Sequence, residues 1–141
     1  MEDMRYAYRS SVIKRREEQA VVLSARLRLH QGSTDDVQKT IQDFSVRRRK
    51  TQPPGASMGS VFKNPPGDYA GQLIEAAGLK GMRVGGAQVS PLHANFIIND
   101  ANATANDIRD LVLIIQKRVL DQSGITLETE VEFVGEWQAN Q

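Results

Sequence analysis

The strongest folding signal in this chain is a stripe of apolar residues between positions 108 and 119. The stripe keeps the 3.6-residue spacing of an α-helix and consists of Ile108, Leu111, Val112, Ile115 and Val119. Thr104 precedes it with Asp107 three positions later, which is a weak capping-box pattern, and Gly124 follows it. Because a helix with one apolar face must bury that face, we expect this helix to pack on a sheet.

Four segments have the sequence pattern of β-strands. Residues 20–29 alternate with period two, which predicts a half-buried strand, and residues 127–134 alternate again. A glycine-interrupted strand is expected at 83–90, and a short buried strand at 95–99. The chain therefore has enough strands to build a small sheet beneath the helix.

Two further helices and one irregular stretch complete the predicted organisation. Residues 33–36 supply N-cap oxygens for a helix that ends in the basic run 47–50, and residues 70–77 form a short helix that Gly78 stops. Four of the five prolines fall within 51–68, so we expect no regular structure there. The intermixed elements predict an α+β or α/β fold, with a small mixed sheet covered by helices.

Composition excludes several classes of protein. The chain has 141 residues, which is close to the size of one domain, and its 40% hydrophobic and 25% charged residues exclude disorder, collagen and coiled coil. It has no run of about 18 apolar residues and no signal peptide at its start, so we expect no membrane span. Without cysteine it has no disulfides or thiolate chemistry. We predict a cytoplasmic localisation.

Charge is distributed unevenly along the sequence. Residues 1–50 contain 12 Lys and Arg against 7 Asp and Glu, whereas residues 51–141 contain 6 against 10. The basic half either faces an anion or another subunit, or forms a solvated surface. No aromatic residue interleaves with the run 47–50, so we favour a solvated helix end there and predict no nucleic-acid partner.

Generic catalytic motifs are absent from the sequence. It has no GxGxxG pattern, Walker loop, HExxH or nucleophile elbow. Its two histidines, His30 and His93, lie 63 positions apart without a third ligand at suitable spacing, so we predict no metal site.

The segment GSVFKNP at 59–65 combines a hydroxyl, a cation and an amide within a few residues. In an extended conformation Ser60, Phe62 and Asn64 would share one side, so that the hydroxyl and the amide could meet one ligand. The alternative is an ordinary strand end closed by proline. Spacing alone leaves both interpretations open.

Six segments in this order resemble the UDP-N-acetylenolpyruvoylglucosamine reductase family. They are YRSS at 8–11, GSVFKNP at 59–65, AGQLIEAAGLKG at 70–81, GGAQVS at 85–90, HANFI at 93–97 and LETEV at 127–131. The resemblance spans nearly the whole chain and implies the α+β fold of the C-terminal domain of these flavoenzymes. It assigns 1–30 to the end of an FAD-binding domain whose remainder is missing, and 31–141 to the substrate-binding domain.

The family reaction reduces UDP-N-acetylglucosamine enolpyruvate to UDP-N-acetylmuramate during peptidoglycan synthesis. The resemblance implies FAD as cofactor and NADPH as electron donor, with FAD bound mainly by the missing domain and by no assigned residue of this chain. We therefore expect this chain alone to be inactive. The alternatives are a stand-alone module that binds a UDP-sugar without redox activity, and an adaptor that uses the basic half of the chain.

The resemblance also implies roles for individual residues. Ser60 matches the proton donor, Glu130 the C-terminal catalytic glutamate, and Arg9 the arginine that stabilises the carboxylate intermediate. A serine hydroxyl is a weak acid and needs a polarising neighbour, for which Lys63 or bound water is a candidate.

Further residues are implied to bind or support the substrate. Asn64 and His93 match substrate contacts, and Lys50 is a candidate for the diphosphate. Gln88 and Asn95 are expected to support the site, and five glycines are expected to form turns or close backbone approaches. These glycines are Gly71, Gly78, Gly81, Gly85 and Gly86.

Overall fold

The computed structural model describes residues 4–137, which fall into two compact units, Met1–Asp43 and Phe44–Gln141. Across residues 4–137, no helix combines the length and the apolar character that a membrane crossing requires.

The first unit is largely irregular, and the predicted strand at 20–29 is wrong. These residues belong to no strand, and Leu23 and Leu29 are 91% and 82% exposed. Alternation gives a segment one apolar face, but a strand also needs a neighbouring backbone to pair with. Residues 4–137 provide no such partner for this segment.

Helix α1 (Thr34–Thr51) begins and ends where the sequence predicts. The hydroxyl of Ser33 accepts a hydrogen bond from the N–H of Asp36 at 3.5 Å, which satisfies one free donor of the first turn. The last turn carries Arg48, Arg49 and Lys50 near the negative end of the helix dipole.

The second unit contains a four-stranded sheet. Its strands are β1 (Ala56–Ser60), β2 (Arg83–Val84), β3 (Ala87–Val89) and β4 (Phe96–Asn99), in the spatial order β1-β4-β3-β2. Every pair is antiparallel, so the predicted α+β class is confirmed but the predicted mixed sheet is wrong. The turns between β2, β3 and β4 are too short for the crossovers that parallel pairs require.

Two glycine-containing segments differ from their predictions. Strand β1 lies inside 51–68, which was predicted to be irregular; its register with β4 shifts between Ser57 and Ser60, and Gly59 there has a φ of +85°. The single strand predicted at 83–90 is a hairpin of β2 and β3 around Gly85 and Gly86. At Gly86 a Cβ would lie 2.3 Å from the carbonyl oxygen of Ala101, so this close approach confirms the prediction for that glycine.

The two helices of this unit confirm their predictions. Helix α2 (Ala70–Ala76) and helix α3 (Ala105–Ser123) begin and end within a residue of the expected positions. Helix α3 packs on β2 and β3, and its buried residues are Leu111, Val112, Ile115 and Val119. A capping box between Thr104 and Asp107 begins it, and Gly124 ends it in the left-handed conformation.

The strand predicted at 127–134 reduces to one bridge between Phe62 and Thr129. Two backbone hydrogen bonds flank the bridge, from Lys63 N–H to the Glu128 oxygen at 2.9 Å and from Glu130 N–H to the Val61 oxygen at 2.8 Å. Pairing stops beyond Glu130, and the residues of β1 that would come next in this register are those where its pairing with β4 is irregular, between Ser57 and Ser60.

Candidate functional site

A polar pocket of about 330 Å³ lies where β1 ends and α2 begins. The end of β1, the segment that follows it, the first turns of α2 and the loop before β4 form its walls. It is lined by Ser60, Asn64, Tyr69, Gly71, Gln72, Glu75, Leu92, His93, Ala94 and Asn95. Three of the residues predicted to act on substrate, Ser60, Asn64 and His93, therefore meet in one cavity.

The hydroxyl of Ser60 is available to a ligand. Ser60 is half-buried at the end of β1, and its side chain makes no hydrogen bond within residues 4–137. Ser90 shows the contrast, because it is fully buried and its Oγ accepts the N–H groups of Leu92 at 3.1 Å and His93 at 3.2 Å. The Ser90 side chain stabilises a turn through these two bonds, whereas the Ser60 side chain has no such structural contact within residues 4–137.

Asn64 combines a structural contact with a position in the pocket. Its Oδ1 accepts the N–H of Ala70, the first residue of α2, at 3.1 Å, and its Nδ2 has no partner among residues 4–137. Phe62 was expected on the same side as Ser60 and Asn64. That expectation is wrong, since Phe62 is 1% exposed and belongs to the hydrophobic core.

His93 is held with one defined nitrogen outward. Its Nδ1 accepts the N–H of Asn95 at 3.2 Å, and its ring meets the edge of Phe96 with 4.8 Å between centroids. Because Nδ1 must offer a lone pair, the neutral ring carries its proton on Nε2. A Cβ at Gly71 would lie 3.2 Å from His93 Cε1, so a residue without a side chain lets α2 approach the ring.

Backbone pairing brings Glu130 beside the Ser60 segment, although Glu130 does not line the pocket. Glu130 is partly covered, whereas Glu128 and Glu132 are exposed, so it differs from its neighbours in the acidic stripe. Lys63, the candidate polariser of Ser60, forms an ion pair with the carboxylate of Glu128. The negative charge of the Glu128 carboxylate offsets part of the electrostatic effect that the Lys63 ammonium would have on the Ser60 hydroxyl.

Two further predicted residues, besides Glu130, lie outside the pocket lining. Lys50 is exposed on the last turn of α1. Arg9 belongs to the first unit, where it has a φ of +52° and its guanidinium carbon lies 5.9 Å from the centre of the Tyr8 ring. Of the two supporting residues, Asn95 lines the pocket and Gln88 donates a hydrogen bond to the Gly81 carbonyl instead.

Sequence reasoning missed the α2 wall of the pocket. Gln72 and Glu75 line it, and the Glu75 carboxylate is paired with the Lys80 ammonium at 2.7 Å. The available signal was their i, i+3 spacing on the polar side of a helix whose other side buries Ile74. Tyr69 and Leu92 carried no comparable signal.

The fold and the pocket define a small α+β domain with a polar ligand-binding site. The family model described as "UDP-N-acetylenolpyruvoylglucosamine reductase, C-terminal domain" matches residues 50–134, and the chain belongs to this family. The resemblance noted in the sequence is thereby confirmed.

Individual relatives agree with the family model. A UDP-N-acetylenolpyruvoylglucosamine reductase of Syntrophomonas wolfei is 46% identical over 136 residues, which are 96% of this chain and 45% of that protein. One of Caldicellulosiruptor bescii is 48% identical over 139 residues, which are 96% of this chain and 44% of that protein. The chain thus spans somewhat less than half the length of the curated relatives it matches.

A solved structure is also similar. The crystal structure of UDP-N-acetylenolpyruvylglucosamine reductase from Thermus caldophilus matches with a TM-score of 0.63 and 40% identity. The match covers 76% of this chain and 38% of that one. Fold and family therefore agree.

Proposed function

We propose that this chain is the substrate-binding part of a flavin-dependent reductase that converts UDP-N-acetylglucosamine enolpyruvate to UDP-N-acetylmuramate in peptidoglycan synthesis. The observation that carries the proposal is the meeting of Ser60, Asn64 and His93 in one pocket of a domain that belongs to the reductase family. The partners are this substrate and an FAD domain, with no nucleic acid and no membrane, and the site of action is the cytoplasm.

The pocket offers neutral hydrogen-bonding groups to the sugar and enolpyruvyl portions of the substrate. The Asn64 Nδ2 and the His93 Nε2–H are donors, and the Ser60 hydroxyl both donates and accepts. Such groups suit ether, hydroxyl and acyl oxygens, which carry no charge. Their convergence from two segments distant in sequence gives the proposed site its selectivity.

Ser60 and Glu130 are proposed as the groups that take part in protonating the substrate carbon, with Ser60 as the donor. Reduction at the enolpyruvyl methylene carbon leaves an enolate-like intermediate, and the neighbouring carbon then takes a proton, which Ser60 Oγ holds in position. Support comes from the uncommitted Ser60 hydroxyl and from the backbone bond that fixes Glu130 next to Val61. General acid groups of this kind contribute about 10²–10⁴-fold to a rate.

The charged portions of the substrate require cations that the pocket lining lacks. Glu75 is the only charged residue among the lining residues, and it is an anion. We therefore propose Arg9 for the carboxylate of the intermediate, where a planar guanidinium fits, and Lys50 for the diphosphate.

The pocket does not fit FAD. Its volume of about 330 Å³ lies at the small end of the range for ligand pockets, and its lining offers no cation to a dinucleotide diphosphate. FAD, with NADPH as its reductant, is therefore proposed to bind mainly to residues beyond this chain. This chain alone is proposed to be inactive.

The domain assignment follows the same proposal, with 1–30 as the end of an FAD-binding domain and 31–141 as the substrate domain. The exposed apolar face of 20–29 supports it, since Val21, Leu23 and Leu27 are 83%, 91% and 78% exposed. An alternating segment of this kind pairs once a sheet edge is supplied. The second candidate function, a UDP-sugar-binding module without redox activity, rests on the same pocket.

Calorimetric titration of UDP-N-acetylglucosamine enolpyruvate into the chain tests the binding proposal. Asn64→Asp keeps the oxygen that accepts the Ala70 N–H at the start of α2 but loses the Nδ2 donor. We therefore expect the variant to bind the ligand at least about tenfold more weakly than the parent, which corresponds to the loss of one hydrogen bond. Asn106→Asp, an exposed change outside the pocket, is the control and should bind like the parent. A parent that does not bind, or an Asn64→Asp variant with the parent affinity, contradicts the proposal.

A further inference from the structure

One buried side chain holds the segment that carries Ser60 and Asn64. Asn95 is 4% exposed, and its amide faces the backbone of Phe62. The Phe62 N–H donates to Asn95 Oδ1 at 2.9 Å, and Asn95 Nδ2 donates to the Phe62 oxygen at 2.8 Å. The backbone of Asn95 adds a third bond, in which its oxygen accepts the Val61 N–H at 2.9 Å.

The Asn95 amide takes the place of a strand that is missing at this point. Strand β4 begins at Phe96, whose partner in β1 is Ser60, so no residue of β4 lies opposite Phe62. On the other side, the backbone of 128–130 bonds to Val61 and Lys63. Residues 61–63 are consequently bonded on both edges, by backbone on one side and mainly by Asn95 on the other.

The two Phe62 bonds have a large consequence for the pocket. Phe62 lies between Ser60 and Asn64 and is buried, so leaving its N–H and C=O unpaired would be costly. These two groups belong to the peptide planes on either side of the Phe62 Cα, so losing both Asn95 bonds would free both planes to turn and would change the directions of the residues on both sides. The Asn95 amide, with one donor and one acceptor, permits only the observed orientation.

We infer that Asn95 is a positioning residue, which fixes the Phe62 peptide so that the Ser60 hydroxyl and the Asn64 amide converge on one ligand. The inference rests on the proposed function for the identity of that ligand. It gives Asn95 a role in affinity beyond filling space in the fold. The relevant property is the pairing of one donor with one acceptor, and not the size of the side chain.

Asn95→Asp tests this inference because it keeps the shape and removes the donor. The ionised carboxylate still accepts from Phe62 N–H but turns its second oxygen toward the Phe62 carbonyl, and protonation at acidic pH restores a donor. Asn99→Asp is the matched control. Asn99 lies at the end of β4, and within residues 4–137 its side chain bonds only through Oδ1, which accepts the Ala103 N–H at 2.8 Å.

Other groups around position 95 also bear charge or titrate. They are His93 on the same loop, Lys63 with Glu128 and Glu130 on the adjoining segments, and Glu75 on α2. They are present in the parent as well, so the ratio of variant to parent affinity at each pH isolates the introduced carboxyl.

We expect Asn95→Asp to bind UDP-N-acetylglucosamine enolpyruvate about tenfold more weakly at neutral pH, with the ratio to the parent recovering on acidification. Amide exchange at Phe62, followed by NMR, should quicken at neutral pH and slow again in acid. Asn95→Leu, which loses both bonds without adding charge, should show the same weakening with no recovery. Asn99→Asp should leave affinity and Phe62 exchange unchanged.

Two outcomes separate this inference from the function it rests on. If the parent chain does not bind the ligand, the proposed function fails, and Phe62 exchange in the variants still decides whether Asn95 holds this peptide. If either folded Asn95 variant keeps the parent affinity, or if Phe62 exchange is unchanged in both, the positioning role is overturned.

Discussion

Asp107 shows how one side chain joins two elements of the domain. Its Oδ2 accepts the N–H of Thr104 at 2.8 Å and that of Gly86 at 3.4 Å, linking the start of α3 to the turn between β2 and β3. The Thr104 backbone bond is the main cause that lowers the pKa of this carboxyl, with further lowering from Gly86 and the Thr104 hydroxyl against an opposing effect of desolvation.

This lowered pKa predicts an acid-dependent loss of stability. A carboxyl whose pKa is lower in the folded state stabilises the fold above its unfolded pKa, and the contribution is lost as the pH falls through the folded value. Asp107→Asn should lower the melting temperature at neutral pH. Its melting temperature should then fall less on acidification than that of the parent. Thermal unfolding followed by circular dichroism measures both, and equal pH profiles for parent and variant would rule out this role.

At the residue scale, the sequence predicted the part of the site that a short motif carries. The segment 59–65 pointed to Ser60 and Asn64, but extended geometry also placed Phe62 on their side, and the structure puts Phe62 in the core. Glu75 has a local signal in its spacing from Gln72, and Asn95 belongs to a segment of the resemblance, yet only the packing of α2 and the antiparallel sheet bring them to the pocket. Which of these side chains meet depends on tertiary contacts that no local pattern encodes.

At the scale of elements, helix α3 provides the large apolar face beneath the sheet. Ile115 is fully buried in the hydrophobic core, whereas Leu113 on the same helix is 45% exposed. A charge introduced at the two positions therefore meets very different surroundings.

We predict that Ile115→Asp destabilises the chain by about 3 kcal/mol or more, because it buries a carboxylate without a partner. Leu113→Asp, the same chemical change on the exposed side, should cost far less. Urea unfolding of the two variants and the parent gives both free energies. Similar values for the two variants would mean that the assigned helix face is wrong.

Helices were predicted better than strands for a physical reason. The bonds of α3 are local and its caps adjoin it in sequence, so its bounds follow from residues 104–124. The segment 20–29 has a strand pattern without a partner in residues 4–137, and strand β1 forms in a stretch of glycine and proline because β4 supplies its bonds. Strand formation depends on a distant neighbour that alternation does not reveal.

At the scale of the whole molecule, the domain holds the proposed substrate pocket and the proposed proton donor, and that pocket is not suited to FAD. The chain matches somewhat less than half the length of its relatives, and its first unit exposes an alternating apolar segment. The proposed division of labour assigns flavin binding to the remainder and proton delivery to Ser60. These two tasks can be measured separately in a flavoprotein that contains this chain as its C-terminal part.

Stopped-flow absorbance of the flavin in that protein, comparing Ser60→Ala with the parent, tests the central claim most directly. Flavin reduction by NADPH should keep its parent rate, because it needs no proton at carbon. Reoxidation by UDP-N-acetylglucosamine enolpyruvate should slow by about 10²-fold or more, the lower range of general acid catalysis. Ser57→Ala is the control, because Ser57 is an exposed serine on β1, the strand that carries Ser60. Ser90→Ala is unsuitable, because Ser90 is buried and hydrogen-bonded. A Ser60→Ala enzyme that reoxidises its flavin at the parent rate would contradict the account.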